Sequence, residues 1–507
     1  MVGPREAGIG GEAEGRFVAT GIAGLDDVLG GGFPPDRVYL VEGNPGSGKT
    51  TLAMQYLFEG RRLGEAGLYI TLSETTQELR AVARSHGWSL EGISVLELVA
   101  SESDLEPDNQ YSMFQPSEVE LGETTRAILD EVGRIRPKRL VIDSLSEMRL
   151  LAQHPLRYRR QILALKQYFA GRECTVLMLD DLTSTSGDLG LHSIAHGVVS
   201  LEQLSPEYGA ERRRVRVSKL RGQQFRGGYH DFVILRGGLD VFPRLVAAEH
   251  LGRTERGLLK SGNEALDNLM GGGLQYGTAA VLLGPAGCGK STTALQYARA
   301  AAARGERATI FSFDERLETI LERADGLGIG VSGEVESGRI EIQTVDPAEL
   351  SPGEFAHRVR AAVDGDDRGS KVVVIDSLNG YLLAMPEERH LVAQLHELLS
   401  YLGHKGVVTF LLVAQHGLLG SMHSPIDTTY LADTLVLFRF FEARGAVRQA
   451  ISVLKKRSGR HERTIRELTL GEGGIGLGPP LADFHGILTG IPTFRGDGEQ
   501  LSGAADG

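Results

Sequence analysis

The chain is 507 residues long, with 54 Lys+Arg against 66 Asp+Glu and a net charge of −12, which argues against a general electrostatic grip on duplex nucleic acid or anionic lipid. Its 41% hydrophobic and 24% charged content excludes a wholly disordered chain and leaves room for about two to four globular domains. No apolar run approaches the ~20 residues of a membrane-spanning helix, the N-terminal MVGPREAGIGGEAEG lacks the build of a secretory signal, and two cysteines, Cys174 and Cys288, are too few for a disulfide framework. The expected compartment is the cytoplasm, with no membrane partner.

In chain order, residues 1–14 are Gly-rich and are expected to fray. A first domain is expected over residues 15–247. It opens with TGIAGLDDVLGGG from Thr20, followed by an apolar strand RVYLVEG, the loop GNPGSGKT, a helix from Lys49 through Arg62, a strand GLYITLS and a helix across Gln77 to His86. Further on come the continuously apolar LVID ending at Asp143, LMLDDLTS with Asp181, and ERRRVRVSKLRGQQFR, whose Arg/Val alternation predicts a strand with one charged face. Apolar runs alternating with amphipathic helices predict an α/β fold with a mostly parallel sheet. A run without alternation, such as LVID, suits a central strand covered by helices on both faces.

The chain then repeats itself. SGNEALDNLMGGGLQYGTAAVLLGPAGCGKSTTALQY from Ser261 matches the segment from Thr20, with Asp267 for Asp26 and Lys290 for Lys49, each 241 residues on. VVVIDSLNGY matches RLVIDSLSEM, with Asp376 for Asp143 at a spacing of 233, and ISVLKKRS matches VRVSKLRG, with Lys455 for Lys219 at 236. A period of this size is a domain able to bury its own core, not a solenoid repeat. A second α/β domain is therefore expected over residues 248–490, with a polar, Gly-rich tail over 491–507.

GNPGSGKT and GPAGCGKS each follow an apolar strand and precede a helix, the context a phosphate loop requires. Glycines let backbone N–H groups turn inward around phosphates, the Lys adds a point charge, and the Thr or Ser hydroxyl can ligate Mg²⁺. The nucleotide-binding candidates are Gly43, Gly46, Ser47, Gly48, Lys49, Thr50 and Thr51 in the first copy, and Gly284, Gly287, Cys288, Gly289, Lys290, Ser291 and Thr292 in the second. The Mg²⁺ candidates are Thr50 with Asp143 and Ser291 with Asp376, each aspartate ending an apolar strand. Hydrolysis also needs a carboxylate to orient or deprotonate the nucleophile. Glu74 in YITLSET and Asp314 with Glu315 in IFSFDER are placed for it, although an acid favoured by a helix dipole gives the same pattern. Asp181 and Gln415 end later strands and are read as γ-phosphate sensors or as ordinary strand-end polar residues. Lys219 and Arg221, and Lys455 and Arg457, keep the same spacing in both copies; they are read as fingers reaching across a subunit boundary, or as the charged face of a solvated edge strand.

Together these segments resemble the KaiC family of RecA-like ATPases in its double-domain form, over roughly residues 16–490. The carriers are the TGIAGLDDVLGGG and SGNEALDNLMGGG openings, both phosphate loops, both DSL segments, the KLRG and KKRSGRH strands and the run ARGAVRQAISVLKKRSGRHERTIREL. The resemblance implies two tandem RecA-like P-loop NTPase domains, stacked as two rings in a homohexamer, with ATP and Mg²⁺ between neighbouring subunits. It implies slow ATP hydrolysis, Ser/Thr autokinase chemistry in the second domain, and partner proteins that read the ring in timing or signalling. It also implies that Lys219 with Arg221, and Lys455 with Arg457 and His461, contact the nucleotide of the adjacent subunit. This chain departs from the family in two places. Ser73–Glu74 and Asp314–Glu315 stand where the family has paired glutamates, and SPIDTTYLADT places Thr429 and Tyr430 where the family has adjacent Ser and Thr, with Thr428 beside them. Thr428 or Thr429 is the candidate phosphoacceptor.

Two other classes stay open at this level. A RecA/RadA-like recombination or repair ATPase would use basic loops after the Mg²⁺ strand, and the first copy carries Arg149, Arg157, Arg159 and Arg160 there, whereas SLNGYLLAMPEERHLVAQ in the second is acidic to neutral. A hexameric scaffold held together by ATP with little turnover is the other, favoured by the missing carboxylates.

Overall fold

The computed structural model describes residues 17–98, 116–181, 189–250, 252, 257–365, 369–383, 390–415, 431–487 and 493–494. The chain divides into two compact units, the first made of residues up to Glu207 and Glu211–Arg244, the second of Tyr208–Ala210 and the residues from Leu245 on. Leu245 and Ala247 pack into a core cluster of the second unit, and the Ala247 amide donates to Glu397 at 2.9 Å. The expected ends, residues 1–14 and 491–507, lie outside the described residues except for 493–494, as do Thr428 and Thr429.

The first unit is built on β1 (Val38–Gly43), β2 (Gly67–Thr71), β3 (Ser94–Glu97), β4 (Arg139–Asp143), β5 (Thr175–Asp181), β6 (Gly197–Leu204), β7 (Arg212–Leu220), β8 (His230–Leu235) and β9 (Gly238–Phe242). They form one sheet in the order β3-β2-β4-β5-β1-β6-β7-β8-β9. Pairing is parallel from β3 to β6 and antiparallel from β6 to β9. In β1 every residue is buried, and alternate side chains feed two separate clusters: Tyr39 and Val41 on one face, Val38 and Leu40 on the other. That is why the run reads as continuously apolar. The helix Lys49–Arg62 follows the phosphate loop and buries Leu52, Ala53, Tyr56 and Leu57 in the same cluster as Tyr39 and Val41.

The second unit repeats the plan. A short ribbon of β10 (Leu258–Leu259) and β11 (Leu274–Gln275) precedes β12 (Ala279–Gly284), β13 (Arg307–Ser312), β14 (Ile340–Thr344), β15 (Ser370–Asp376), β16 (Val408–Ala414), β17 (Thr434–Ala443), β18 (Ala446–Lys456), β19 (Arg466–Gly471) and β20 (Gly474–Pro480). The order β14-β13-β15-β16-β12-β17-β18-β19-β20 matches the first sheet strand for strand. Asp143–Ser144 and Asp376–Ser377 are both cis peptides.

Both opening segments fold alike. The Asp26 carboxylate accepts from the Thr20 amide at 2.8 Å, as Asp267 does from Ser261 at 2.7 Å, and Gly30, Gly31 and Gly32 take positive φ where a side chain would be strained. β7 and β18 each lie between two other strands, so the Arg/Val run is not an edge strand; Val215 and Val217 are buried while Arg216 is exposed. Among the described residues no helix is long and apolar enough to cross a membrane.

Candidate nucleotide sites

Each phosphate loop turns from the end of a central strand into a helix. Gly48 and Gly289 cap those helices in the left-handed region, at φ 101° and 98°. A Cβ on Gly43 would lie 2.5 Å from the Leu201 carbonyl oxygen, and one on Gly284 would lie 2.6 Å from that of Phe438. Both loops therefore pass too close to the neighbouring strand for any other residue.

In the first unit Lys49 Nζ donates to the carbonyls of Gly43 at 2.8 Å and Asn44 at 3.0 Å and pairs with Asp181 at 2.7 Å. Thr50 Oγ1 donates to Asp143 at 3.2 Å, and the Tyr69 hydroxyl donates to the same carboxylate oxygen at 2.5 Å. Burial pushes the Asp143 carboxyl up, with these hydroxyls and Lys49 opposing. Glu74 is held at the end of β2 by Thr71, whose hydroxyl donates to the Glu74 carbonyl at 2.7 Å and accepts from its amide at 3.0 Å. Its Oε2 is buried without a hydrogen-bond partner. Burial first and the Asp143 charge second raise its pKa.

The second unit keeps the frame and changes the partners. Lys290 Nζ donates to the carbonyls of Gly284 at 2.9 Å and Pro285 at 2.6 Å, with Cys288 Sγ at 3.8 Å and no carboxylate paired with it among the described residues. Ser291 hydrogen-bonds Asp376, whose pKa rises to about 6 mainly through burial, with the Glu315 charge adding to the rise. Ser312 holds the Glu315 backbone at 2.8 and 3.2 Å, as Thr71 holds Glu74. Glu315 pairs with Arg323, while its Oε2 is buried and unpartnered. Asp314 accepts from Ser377 Oγ at 2.6 Å. Burial also raises the Cys288 thiol, so this loop cysteine is held as an inert neutral group.

The remaining candidates lie on other elements. Lys219 Nζ donates to the carbonyls of His192 and, at 2.7 Å, Ala195, and Arg221 donates to Ser193 at 3.2 Å; no phosphate-loop residue is among these partners. Burial, then Arg221, lowers the Lys219 pKa. Lys455 donates to the Ala432 carbonyl at 2.9 Å, Arg457 pairs with Asp433 at 3.4 Å, and burial lowers the His461 pKa. A cavity of about 810 Å³ is lined by Arg80, Arg84 and Trp88 among others and by no residue of either phosphate loop.

Register refines one expectation. Asp181 stands opposite Gly43, and the residue opposite Gly284 is Ala414, not Gln415. The Ala414 amide donates to Asn379 at 2.7 Å, just as the Asp181 amide donates to Ser146 at 3.2 Å. Tyr69, Arg323 and Arg439 escape sequence reasoning. The signal for Arg439 was a lone charge inside the apolar run TLVLFRFF.

The sites fit a nucleoside polyphosphate on their own geometry: a glycine cradle, a lysine satisfied largely by carbonyls, a hydroxyl–aspartate pair, and a buried glutamate oxygen with no partner. With the strand order, this defines two tandem RecA-like P-loop ATPase domains. The family model described as "ATPase: KaiC" matches residues 18–246 and 259–482, and the chain belongs to that family. It is 26% identical over 501 residues to "Circadian clock protein KaiC3" of Synechocystis sp. (strain ATCC 27184 / PCC 6803 / Kazusa), covering 96% of this chain and 97% of that one. It is 27% identical to "Circadian clock oscillator protein KaiC" of Thermosynechococcus vestitus, covering 95% and 92% of the two chains. The protein of the same name from Synechococcus elongatus is 26% identical, with 94% and 91% covered.

Proposed function

We propose that the chain is a clock- or signalling-type ATPase of the cytoplasm that assembles as a homohexamer, binds ATP with Mg²⁺ at both phosphate loops, and carries autokinase chemistry in its second unit. The observation that carries this reading is the same constellation twice: a lysine on the loop carbonyls, a hydroxyl on a strand-end aspartate, and a glutamate with an unpartnered buried oxygen. Mg²⁺ would be held by Thr50 with Asp143 and by Ser291 with Asp376, and would offset charge on the transferring phosphate. Glu74 and Glu315 orient or deprotonate the attacking water, and burial, which raises the Glu74 pKa, suits that residue to take up a proton. Lys219, Arg221, Lys455, Arg457 and His461 serve the neighbouring subunit's nucleotide. Thr428 or Thr429 receives phosphate, and partner proteins read the result.

Two measurements test this. With ATP and Mg²⁺ the purified chain is expected to run at six times its 54.7 kDa mass in light scattering, and to take up γ-phosphate on Thr428 or Thr429. A mass independent of nucleotide, or equal label on a Thr428→Ala/Thr429→Ala variant, contradicts the corresponding part.

The Asp376 shift gives a pH prediction. An unfolded aspartate loses its proton near pH ~4, while folded Asp376 keeps it to about 6. Folding therefore binds a proton in that window, and the ligand-free chain loses stability as pH rises through it. Mg²⁺ requires the anion, so Mg²⁺ with ATP is expected to raise the thermal midpoint more at pH 7.5 than at pH 5.5. An equal rise at both contradicts the assignment of Asp376.

A further inference from the structure

The two loops carry opposite electrostatic additions. In the first unit Asp181 occupies the lysine that a phosphate would need: its Oδ1 lies 2.7 Å from Lys49 Nζ, and its other carboxylate oxygen accepts from Ser146 Oγ at 3.3 Å. Ser146 also accepts from the Asp181 amide at 3.2 Å, so the carboxylate is fixed in place. In the second unit Ala414 takes this register position, and among the described residues Lys290 hydrogen-bonds two carbonyls and the Cys288 sulfur and forms no ion pair, while its charge acts on Asp376 as that of Lys49 acts on Asp143.

The second unit also adds a cation. Arg439 follows Phe438, whose carbonyl crowds Gly284 at the start of the loop, and the Arg439 guanidinium lies within electrostatic reach of Cys288 in that loop. Arg439 is 8% exposed, yet its Nε and Nη1 have no hydrogen-bond partner and no carboxylate among the described residues is paired with it. Its counterpart in the first unit, Glu202, pairs with Arg214 at 2.8 Å; the residue opposite Arg439 is Ala450, so both halves of that pair are replaced. The contrast with Arg139 is instructive. That guanidinium is 1% exposed but bonded to Glu65, Ala19 and Tyr56 at 2.6 to 2.8 Å. A buried guanidinium without such partners is costly unless an anion completes it.

We propose that the two loops are unequal nucleotide sites: Arg439 and an unopposed Lys290 make the second the tighter triphosphate site, while Asp181 acts on the first as a built-in competitor for Lys49. This rests on the nucleotide-binding reading above. An incoming polyphosphate must displace Asp181 from Lys49 and then sit beside its freed carboxylate, a penalty that grows with phosphate charge. Asp181 thus sets affinity and the preference between triphosphate and diphosphate at the first site.

The test is equilibrium titration of the full chain with ATPγS and with ADP, the sites being assigned by Lys49→Ala and Lys290→Ala. Two classes of site are expected, the weak one lost in Lys49→Ala and the tight one in Lys290→Ala. Asp181→Asn should tighten the weak class by about tenfold or more, more for ATPγS than for ADP, whereas Asp181→Glu, which keeps the charge, should not; Arg439→Gln should weaken the tight class. An Asp181→Asn chain whose first site binds ATPγS no better, or a tight class that belongs to Lys49, overturns the proposal. If neither lysine variant loses a class, the nucleotide-binding reading itself falls, which is a different result.

Discussion

Replacing Lys49 and Lys290 together by alanine is expected to lower Mg²⁺-dependent ATP hydrolysis by at least ~10³-fold. Each Nζ is the cation nearest its loop, bonded to the carbonyls of residues 43 and 44 or of 284 and 285. No other residue of either loop carries a positive charge. The two single variants should each remove one unit's share, and they should do so without unfolding the chain, since each lysine is the first residue of its helix and stands outside the hydrophobic core clusters. Circular dichroism and phosphate release on the same samples check this. A double variant that still hydrolyses ATP at the wild-type rate would place the chemistry elsewhere.

The second large effect concerns residues at and just past the ends of β7 and β18. Arg221 and Lys219 are bonded to carbonyls of residues 192, 193 and 195, and Arg457 to Asp433. If they serve the neighbouring subunit as arginine fingers, Arg221→Ala/Arg457→Ala should cost ~10³-fold or more in turnover. Mixing that variant with Lys49→Ala/Lys290→Ala should restore activity that neither has alone. At equal random mixing about a quarter of subunit junctions pair an intact loop with an intact finger, so about a quarter of the wild-type rate is expected. Mixed samples no more active than the variants apart would contradict shared sites.

The duplication, both phosphate loops, the strand-end aspartates and the parallel core were legible because each is written in contiguous residues. A loop that cradles phosphate and a strand buried on both faces impose their patterns locally. Glu74 and Glu315 were put forward on the same local logic, and the structure adds that Thr71 and Ser312 hold their backbones in the same turn. What escaped depends on register across strands. Gln415 reads as the partner of Asp181 in a list of strand-end polar residues, but one step of register puts Ala414 there. Tyr69 reads as one more apolar strand residue until its hydroxyl is seen on Asp143. Arg439 could be noticed as a charge in an apolar run, yet only burial and the absence of a partner give it meaning. The Arg/Val alternation of β7 reads correctly as a strand with one charged face, but that the strand is flanked on both sides is not written in it.

Incubating the purified chain with Mg²⁺ and γ-labelled ATP, and counting free phosphate and protein-bound label together beside a Glu315→Gln control, tests the central claim most directly. Mg²⁺-dependent release of phosphate by the wild-type chain, reduced in the control, is the predicted result. Neither free phosphate nor bound label above the protein-free blank would contradict it.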